Sequence, residues 1–335
     1  MLRRKSLILL LVFVLAVGLV VAGCGGGEEA AEGEDEGDAA VEYPTKTITI
    51  IVPWNAGGDT DAIFRTVGKY LEEELGQTIV IKNIGGGSGA VGAQEAMQAE
   101  PDGYTLLAGH DSIALSYVTE KTDFGYFDFE PVALMVSTPD IVGTSADSQF
   151  NNMEEVIAYA KEHPGELTFG ASLGSTSHYT PAAIEAAADI DFNIVGYEGT
   201  ADRMTALLGG HINFGSVSVP AGKEYLEANQ MKLLGIASEE RHASLPDVPT
   251  LKEQGIDVLC GTNRGLFAPK DTPQEIIDIL RDALEKVANH PEFKETIENQ
   301  GCDVNFMGDD YADWLQANQD KMAEVAEEAG MIDDL

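Results

Sequence analysis

Hydrophobic positions in this chain keep two periods that alternate along it. From Tyr43 onward, "TITIIVPW" is a short β-branched apolar run, and "DTDAIFRTVGKYLEEELG" behind it repeats its apolar residues at helical spacing. Ile63, Val67, Tyr70 and Leu71 share one face of that helix, Asp59 or Thr60 can cap its start, and Gly76 ends it. Strand "TIVIKN", loop "IGGGSG", helix "AVGAQEAMQA", turn "EPDG" and strand "YTLLAG" follow. This βαβαβ order predicts a parallel sheet covered by helices. A second series begins after "FEPVALMVSTPDIVGTS". It runs as helix "MEEVIAYAKEHP", strand "LTFGAS", loop "LGSTSH", helix "TPAAIEAAADI", strand "FNIVGY", helix "ADRMTALLGG", strand "INFGSV", helix "KEYLEANQ" and strand "MKLLGIAS". A third part starts near "RGLFAPK" and carries helices over 272–288, 291–299 and 311–329. Two α/β series predict two lobes, with the last helices returning to the first. A ligand cleft is expected between them, at the C-terminal ends of the strands.

The N-terminus changes the setting. Arg3, Arg4 and Lys5 precede an apolar run over 7–22, which ends in "VAGC". That order resembles the signal and lipobox of bacterial lipoproteins: residues 1–23 as signal peptide, Cys24 as the lipidated new N-terminus. The alternative is an uncleaved anchor helix; both place the remainder outside the cytoplasm. Residues 24–42 hold eight acids and no Lys, Arg or aromatic before Tyr43. Such a stretch buries too little apolar surface to order itself and reads as a solvated tether.

The formal charge of −37 excludes nucleic-acid binding, which needs a basic patch. Cys260 and Cys302 are left beside Cys24; they form a disulfide or remain buried thiols. No H-E-x-x-H, C-x-x-C or calcium-loop pattern is present, so no metal is expected.

Candidate chemistry lies in glycine- and hydroxyl-rich loops. Gly87, Gly89 and Gly92 stand at G-x-G-x-x-G spacing between a strand and a helix, with Asp111 about twenty residues on, as in a dinucleotide fingerprint. An extracytoplasmic chain has little dinucleotide to bind, so no cofactor is expected. What remains is a loop whose backbone N–H groups approach an anion at a helix start. Four loops fit that purpose. The first offers Trp54, Asn55, Ala56, Gly57, Gly58, Thr60 and Asp61; the second offers Asn83, Gly87, Ser88 and Gly89. The third offers His110, Asp111 and Ser112, and the fourth Gly174, Ser175, Thr176, Ser177 and His178. Each also fits a ligand-free turn or helix cap. "GASLG" further satisfies G-x-S-x-G, so a secreted serine hydrolase using Ser172 is the enzyme alternative. No HGGG-like segment lies upstream to complete it.

Taken together, "YPTKTITIIVPWNAGGDTDAIFR", "PDGYTLLAG", "TSHYTPAAIEAAA", "LLGGHINF", "LPDVPTLKEQG" and "RGLFAPKDTP" resemble the substrate-binding receptors of tripartite tricarboxylate transporters, the TctC or Bug family. The resemblance runs from Tyr43 to about Gly330. It implies an α/β, two-lobed, periplasmic-binding-protein-like (Venus flytrap) fold with hinge strands, residues 43–140 plus 265–335 forming one lobe and 141–264 the other. It also implies a receptor rather than an enzyme, which acts as a monomer. Such a receptor captures a small carboxylate and delivers it to a large and a small membrane subunit; a signalling role is the alternative. By position the family's "YKG" segment falls on Tyr197, Glu198 and Gly199, with an acid in place of lysine. Glu198 either repels a second carboxylate in the cleft or faces solvent. Ser218 is expected to join the site. Arg264, where the chain crosses between lobes, pairs with a ligand carboxylate or with a structural acid.

Overall fold

In a computed structural model that describes residues 41–197 and 200–332, the alternating pattern resolves into two mixed sheets. The signal peptide, nearly all of the tether, Cys24, Glu198 and Gly199 lie outside the described residues. The first series comprises β1 (Ile48–Val52), α1 (Asp59–Leu75), β2 (Ile79–Asn83), α2 (Ala90–Met97), β3 (Thr105–His110), α3 (Ser112–Val118) and β4 (Phe129–Pro139). The second comprises β5 (Ile141–Ser145), α4 (Met153–Glu162), β6 (Thr168–Ala171), α5 (Thr176–Ala188), β7 (Asn193–Gly196), α6 (Thr200–Leu208), β8 (Phe214–Val217), α7 (Val219–Glu227) and β9 (Met231–Ile236). The chain closes with β10 (Gly261–Pro269), α8 (Gln274–Asn289), α9 (Pro291–Asn299), β11 (Asp303–Met307) and α10 (Tyr311–Glu328).

The first sheet has the order β11-β4-β10-β3-β1-β2 and the second β7-β6-β8-β5-β9. The βαβ units are parallel as expected: β1 with β2 and β3, and β6 with β7 and β8. Neither sheet is wholly parallel, however. β10 runs antiparallel between β3 and β4, β11 antiparallel to β4, and β5 antiparallel to β8 and β9. The antiparallel strands are those by which the chain leaves one sheet and returns to it. β4 and β5 are separated by Asp140 alone, and β10 brings the chain back beside β4.

Helix α1 shows how local pattern becomes packing. Ile63, Phe64, Val67, Tyr70 and Leu71 are buried on one face against the sheet, beside Ile277, Leu280 and Leu284 of α8. Each such side chain contributes about 1.5–3 kcal/mol of transfer free energy when fully buried. Gly76 ends the helix in the left-handed conformation, its N–H donating to the Glu72 carbonyl. The start differs from expectation: Gly58 is the N-cap, and Asp59 and Thr60 are already helical. On the other side of the first sheet, Leu107, Ile113, Tyr311 and Leu315 belong to a core that continues to Phe169, Ile184 and Phe214 of the second series.

Three elements escaped the sequence pattern. Ser112–Val118 is a helix where a loop was expected. α5 begins at Thr176, four residues ahead of the expected start, which had made Pro181 the first-turn proline favoured at that position. β11 adds an edge strand from "DVNFM", an alternation too short to register alone.

Gly265 of β10 lies beneath Tyr311. A Cβ there would stand 2.7 Å from the Ala133 carbonyl oxygen and nearer still to the Tyr311 hydroxyl. Gly265→Ala is therefore expected to destabilise the fold by about 1–3 kcal/mol through overpacking. A urea midpoint unchanged by the substitution would contradict this packing.

Candidate functional site: a cationic cavity between the sheets

Parallel strands end where their following helices begin, and here several such ends converge. A cavity of about 380 Å³ is lined by first-turn residues of α1 (Asp59, Thr60, Asp61), α5 (Thr176, Ser177), α6 (Thr200, Arg203) and α7 (Ala221, with Ser218 before it). Each helix start leaves N–H groups without intrahelical partners and carries about half a positive charge. Of the expected residues, Trp54, Gly58, Thr60, Asp61, Ser88, His110, Ser112, Ser175, Thr176, Ser177, Ser218 and Arg264 line this cavity.

The other expected residues lie outside its wall, and most have evident work elsewhere. Asn55 and Ala56 are exposed. Gly57 takes the positive φ of the first loop (86°) while Gly58 is extended, and the Gly57 N–H donates to Asp61 Oδ2 at 2.8 Å rather than pointing inward. Asn83 donates to the Trp54 carbonyl and to Asp61 Oδ1, while Arg65 donates to both Asp61 and Asn83. Asp61 therefore lines the cavity with its carboxylate already engaged. Partial desolvation opposes its charge, but the bonds from Arg65, Gly57 and Asn83 together hold its pKa below the ordinary value. In the fourth loop the Gly174 N–H donates to His178 Nδ1, which braces the turn instead of reaching a ligand. Tyr197 packs toward Gly170, with its N–H on the Ala171 carbonyl.

The glycine fingerprint is explained by contact between protein parts. Gly89, at φ 100°, passes so close to Trp54 that a Cβ would stand 2.9 Å from the indole ring. Gly92 lets α2 meet the end of β1, where a Cβ would lie 2.6 Å from the Ile84 carbonyl oxygen and 2.7 Å from Pro53 Cα. Gly87 opens the short 3-10 turn between them. Trp54, held beneath this loop, stacks on His110 with centroids 3.6 Å apart. Burial and the neighbouring Arg264 keep His110 neutral, well below its ordinary pKa. Its Nδ1 accepts the Ser112 N–H, so Nε2 carries the hydrogen.

Asp111, the supposed ribose acid, is a buried strut. Its Oδ1 accepts from Tyr126 Oη and Asn318 Nδ2, and its Oδ2 from the Asn263 backbone N–H and side-chain amide. It thereby ties α3, β10 and α10 together below the cleft.

The strongest charges in the wall are two guanidiniums. Arg264, opposite His110 in the β3–β10 pairing, is 5% exposed. It donates from Nε to Thr60 Oγ1 (3.1 Å) and from one amino group to Thr138 Oγ1 (2.7 Å) and the Thr262 carbonyl. Arg203, also 5% exposed, donates to Ser177 Oγ at 3.1 Å, and its Nε is buried without a partner. Its stem crosses Gly170, where a Cβ would stand 3.1 Å from Arg203 Cγ, and then passes over Gly215. Among the described residues neither arginine has a carboxylate within ion-pair distance. Burial opposes the charge on both. Arg264 was anticipated, and the choice left open for it falls against a structural acid. Arg203 was missed, its only signal being an arginine in the first turn of a helix in a strongly acidic chain. Asp59, Thr138, Asp140, Ser172, Thr200, Met204, Ser216, Val217, Ala221 and Thr262 also line the wall without having been expected as ligand-binding residues.

Ser172 sits in a hydroxyl cluster. Its N–H is held by Ser177 Oγ and its carbonyl accepts from Ser175 Oγ. Cys260 and Cys302 are free thiols, just ahead of β10 and β11 respectively. Among the described residues no group of His, Cys, Asp and Glu could hold a metal, and no helix is long and apolar enough to cross a membrane.

A cleft at strand C-termini, walled by helix starts and by two buried arginines that form no ion pair among the described residues, defines a solute-binding protein of the two-lobed periplasmic type. The chain belongs to the tripartite tricarboxylate transporter receptor family, which it matches over residues 63–331. The UPF0065 protein in the gbd 5' region of Cupriavidus necator is 31% identical over 328 residues, covering 95% of this chain and 97% of that one. A TctC solute-binding protein from Polaromonas superposes with TM-score 0.71 at 32% identity, covering 88% of this chain and 100% of its own. An R. palustris protein solved with adipate gives 0.75 at 26%, covering 86% and 99%. MatC from Rhodopseudomonas palustris with bound malate gives 0.72 at 27%, covering 84% and 99%. The protein is thus a solute-binding receptor of this family and not an enzyme, which removes the hydrolase alternative at Ser172.

Burial lifts the Asp111 carboxyl from 3.8 to about 6, against the pull of its four hydrogen bonds. The folded value exceeds the unfolded one, so its ionisation costs stability above about pH 6, and that cost recedes on acidification toward pH 4. Relative to Asp111→Asn, the wild type should gain roughly 1–2 kcal/mol between about pH 7 and pH 4.5. Urea melts of both proteins at the two pH values test this, and a pH-independent difference would contradict it.

Proposed function

We propose that this receptor is held outside the cytoplasm by a lipidated Cys24 on an acidic tether. There it captures a small organic carboxylate between Arg203 and Arg264 and passes it to the large and small membrane subunits of a tripartite transporter. The lobes we assign to the capture are 43–140 with 265–335, and 141–264. The observation that carries the reading is the pair of buried guanidiniums on one cavity, each held by neutral groups and neither in an ion pair among the described residues. Burying such a charge is costly unless something completes its pairing. An anionic ligand does so on closure. The adipate and malate carried by two of the similar structures are of that chemistry.

In this reading Trp54, Ser88 and His110 approach the ligand from the first series. Ser175, Thr176, Ser177 and Ser218 approach it from the second, through hydroxyls and helix-start N–H groups. Hydrogen bonds to a charged group contribute about 1.5–3 kcal/mol each. Four or five, less the costs of ordering, reach the roughly −8 kcal/mol of a micromolar receptor.

Calorimetry with mono-, di- and tricarboxylates and their amides is the test. A carboxylate should bind and its amide should fail. Arg203→Gln and Arg264→Gln should each weaken binding about ten- to a hundred-fold, with melting of the free protein measured alongside. Equal affinity for acid and amide, or full affinity in both variants, would sink the reading.

The anchoring has its own check. Cys24→Ser should move the protein from the membrane to the soluble fraction or halt its maturation, and lipid labelling should vanish. Retained label in the variant would reject the lipobox.

A further inference from the structure

The cavity wall holds a buried carboxylate that capture of a simple anion does not use. Asp140 is the single residue between β4 and β5, where the chain leaves the first sheet for the second. Its backbone is fixed by the other crossing segments: its N–H donates to the Cys260 carbonyl, and its carbonyl accepts the Ala237 N–H. Its side chain lines the same cavity as Arg203 and Arg264 and feels both charges, yet forms an ion pair with neither. Oδ2 accepts from Thr180 Oγ1. Burial opposes the charge on this carboxylate, while Thr180, the two arginines and the buried Ser216 hydroxyl that faces it favour the charge. A buried carboxylate in the wall of a cationic cavity lowers the affinity of a plain dianion. Such a group is favourable for binding only if the ligand brings a donor to it.

We infer that Asp140 is a specificity-determining residue: the ligand is a dicarboxylate that carries a hydroxyl or ammonium donor on its carbon chain, and this donor hydrogen-bonds Asp140 while the carboxylates are taken by Arg203 and Arg264. The inference rests on the carboxylate reading above. It sorts dicarboxylates of equal length by whether they present that donor. A donor left facing Asp140 gains a charge-assisted bond, whereas a methylene in its place leaves the acid desolvated and unpaired.

The experiment compares succinate, malate and aspartate by calorimetry against the full mature chain, its Asp140→Ala variant and the isosteric Asp140→Asn variant. With wild type, malate or aspartate should bind at least about ten-fold more tightly than succinate. Asp140→Ala should bind succinate more tightly than wild type does, because the opposing charge is gone, and should shrink the preference to less than about three-fold. Asp140→Asn, which keeps the shape of the site, should shrink it in the same direction. A purely structural Asp140 would instead weaken all three ligands by one common factor. That result, or wild-type affinity for succinate equal to that for both substituted acids, overturns the inference and leaves the carboxylate reading standing. Failure of wild type to bind any carboxylate would overturn both.

Discussion

Two guanidinium groups line the cleft with no ion-paired carboxylate among the described residues, and the surrounding structure serves to keep them there. An arginine can be buried this way only if neutral acceptors take most of its donors. Thr60, Thr138 and the Thr262 carbonyl do so for Arg264; Arg203 has Ser177, longer contacts to Thr200 and the Ser216 carbonyl, and an Nε left over. Those acceptors come from α1, β4 and β10 for Arg264 and from α5, α6 and β8 for Arg203, so each series holds one cation and the cavity brings the two together. Gly170 of β6 has the same purpose, since it leaves the channel through which the Arg203 stem runs.

The braces around the cleft fix the loops without spending the cationic groups. Asp61, Arg65 and Asn83 tie the first two loops together. Asp111 ties the returning strand to two helices. In both cases an acid is turned away from the arginines and toward other donors. Asp61 thus lines the cavity with its charge already engaged, whereas Asp140, on the same wall, accepts from the Thr180 hydroxyl.

The whole chain is strongly acidic, with a formal charge of −37. A distant surface charge is screened over about 8–10 Å at physiological salt, whereas a buried pair is screened far less. A local cationic pocket and a repulsive exterior are therefore compatible. The exterior governs solubility and the rate of encounter, and the pocket governs affinity.

Much of the protein was written in its periodicities. The apolar face of α1, the parallel βαβ units and the ligand-facing strand ends follow from spacings of 3.6 and 2 residues, which need no knowledge of distant partners. Trp54, Gly58, Thr60, Ser88, the Ser175–Ser177 hydroxyls and Arg264 were legible for a related reason: they stand where a strand hands over to a helix or where the chain crosses. The roles of Gly57, Asn83, Asp111, Gly174 and His178 were not legible, because a side chain or N–H near a cleft can turn inward or brace its own loop, and sequence position does not distinguish the two. The dinucleotide-like glycines likewise met Trp54 and Pro53 rather than a phosphate. The antiparallel β10 and β11, and the meeting of Arg203, Arg264 and Asp140, were decided by tertiary structure alone. These residues lie on segments far apart in the chain, and only the packing of two sheets determines that their charges share one cavity.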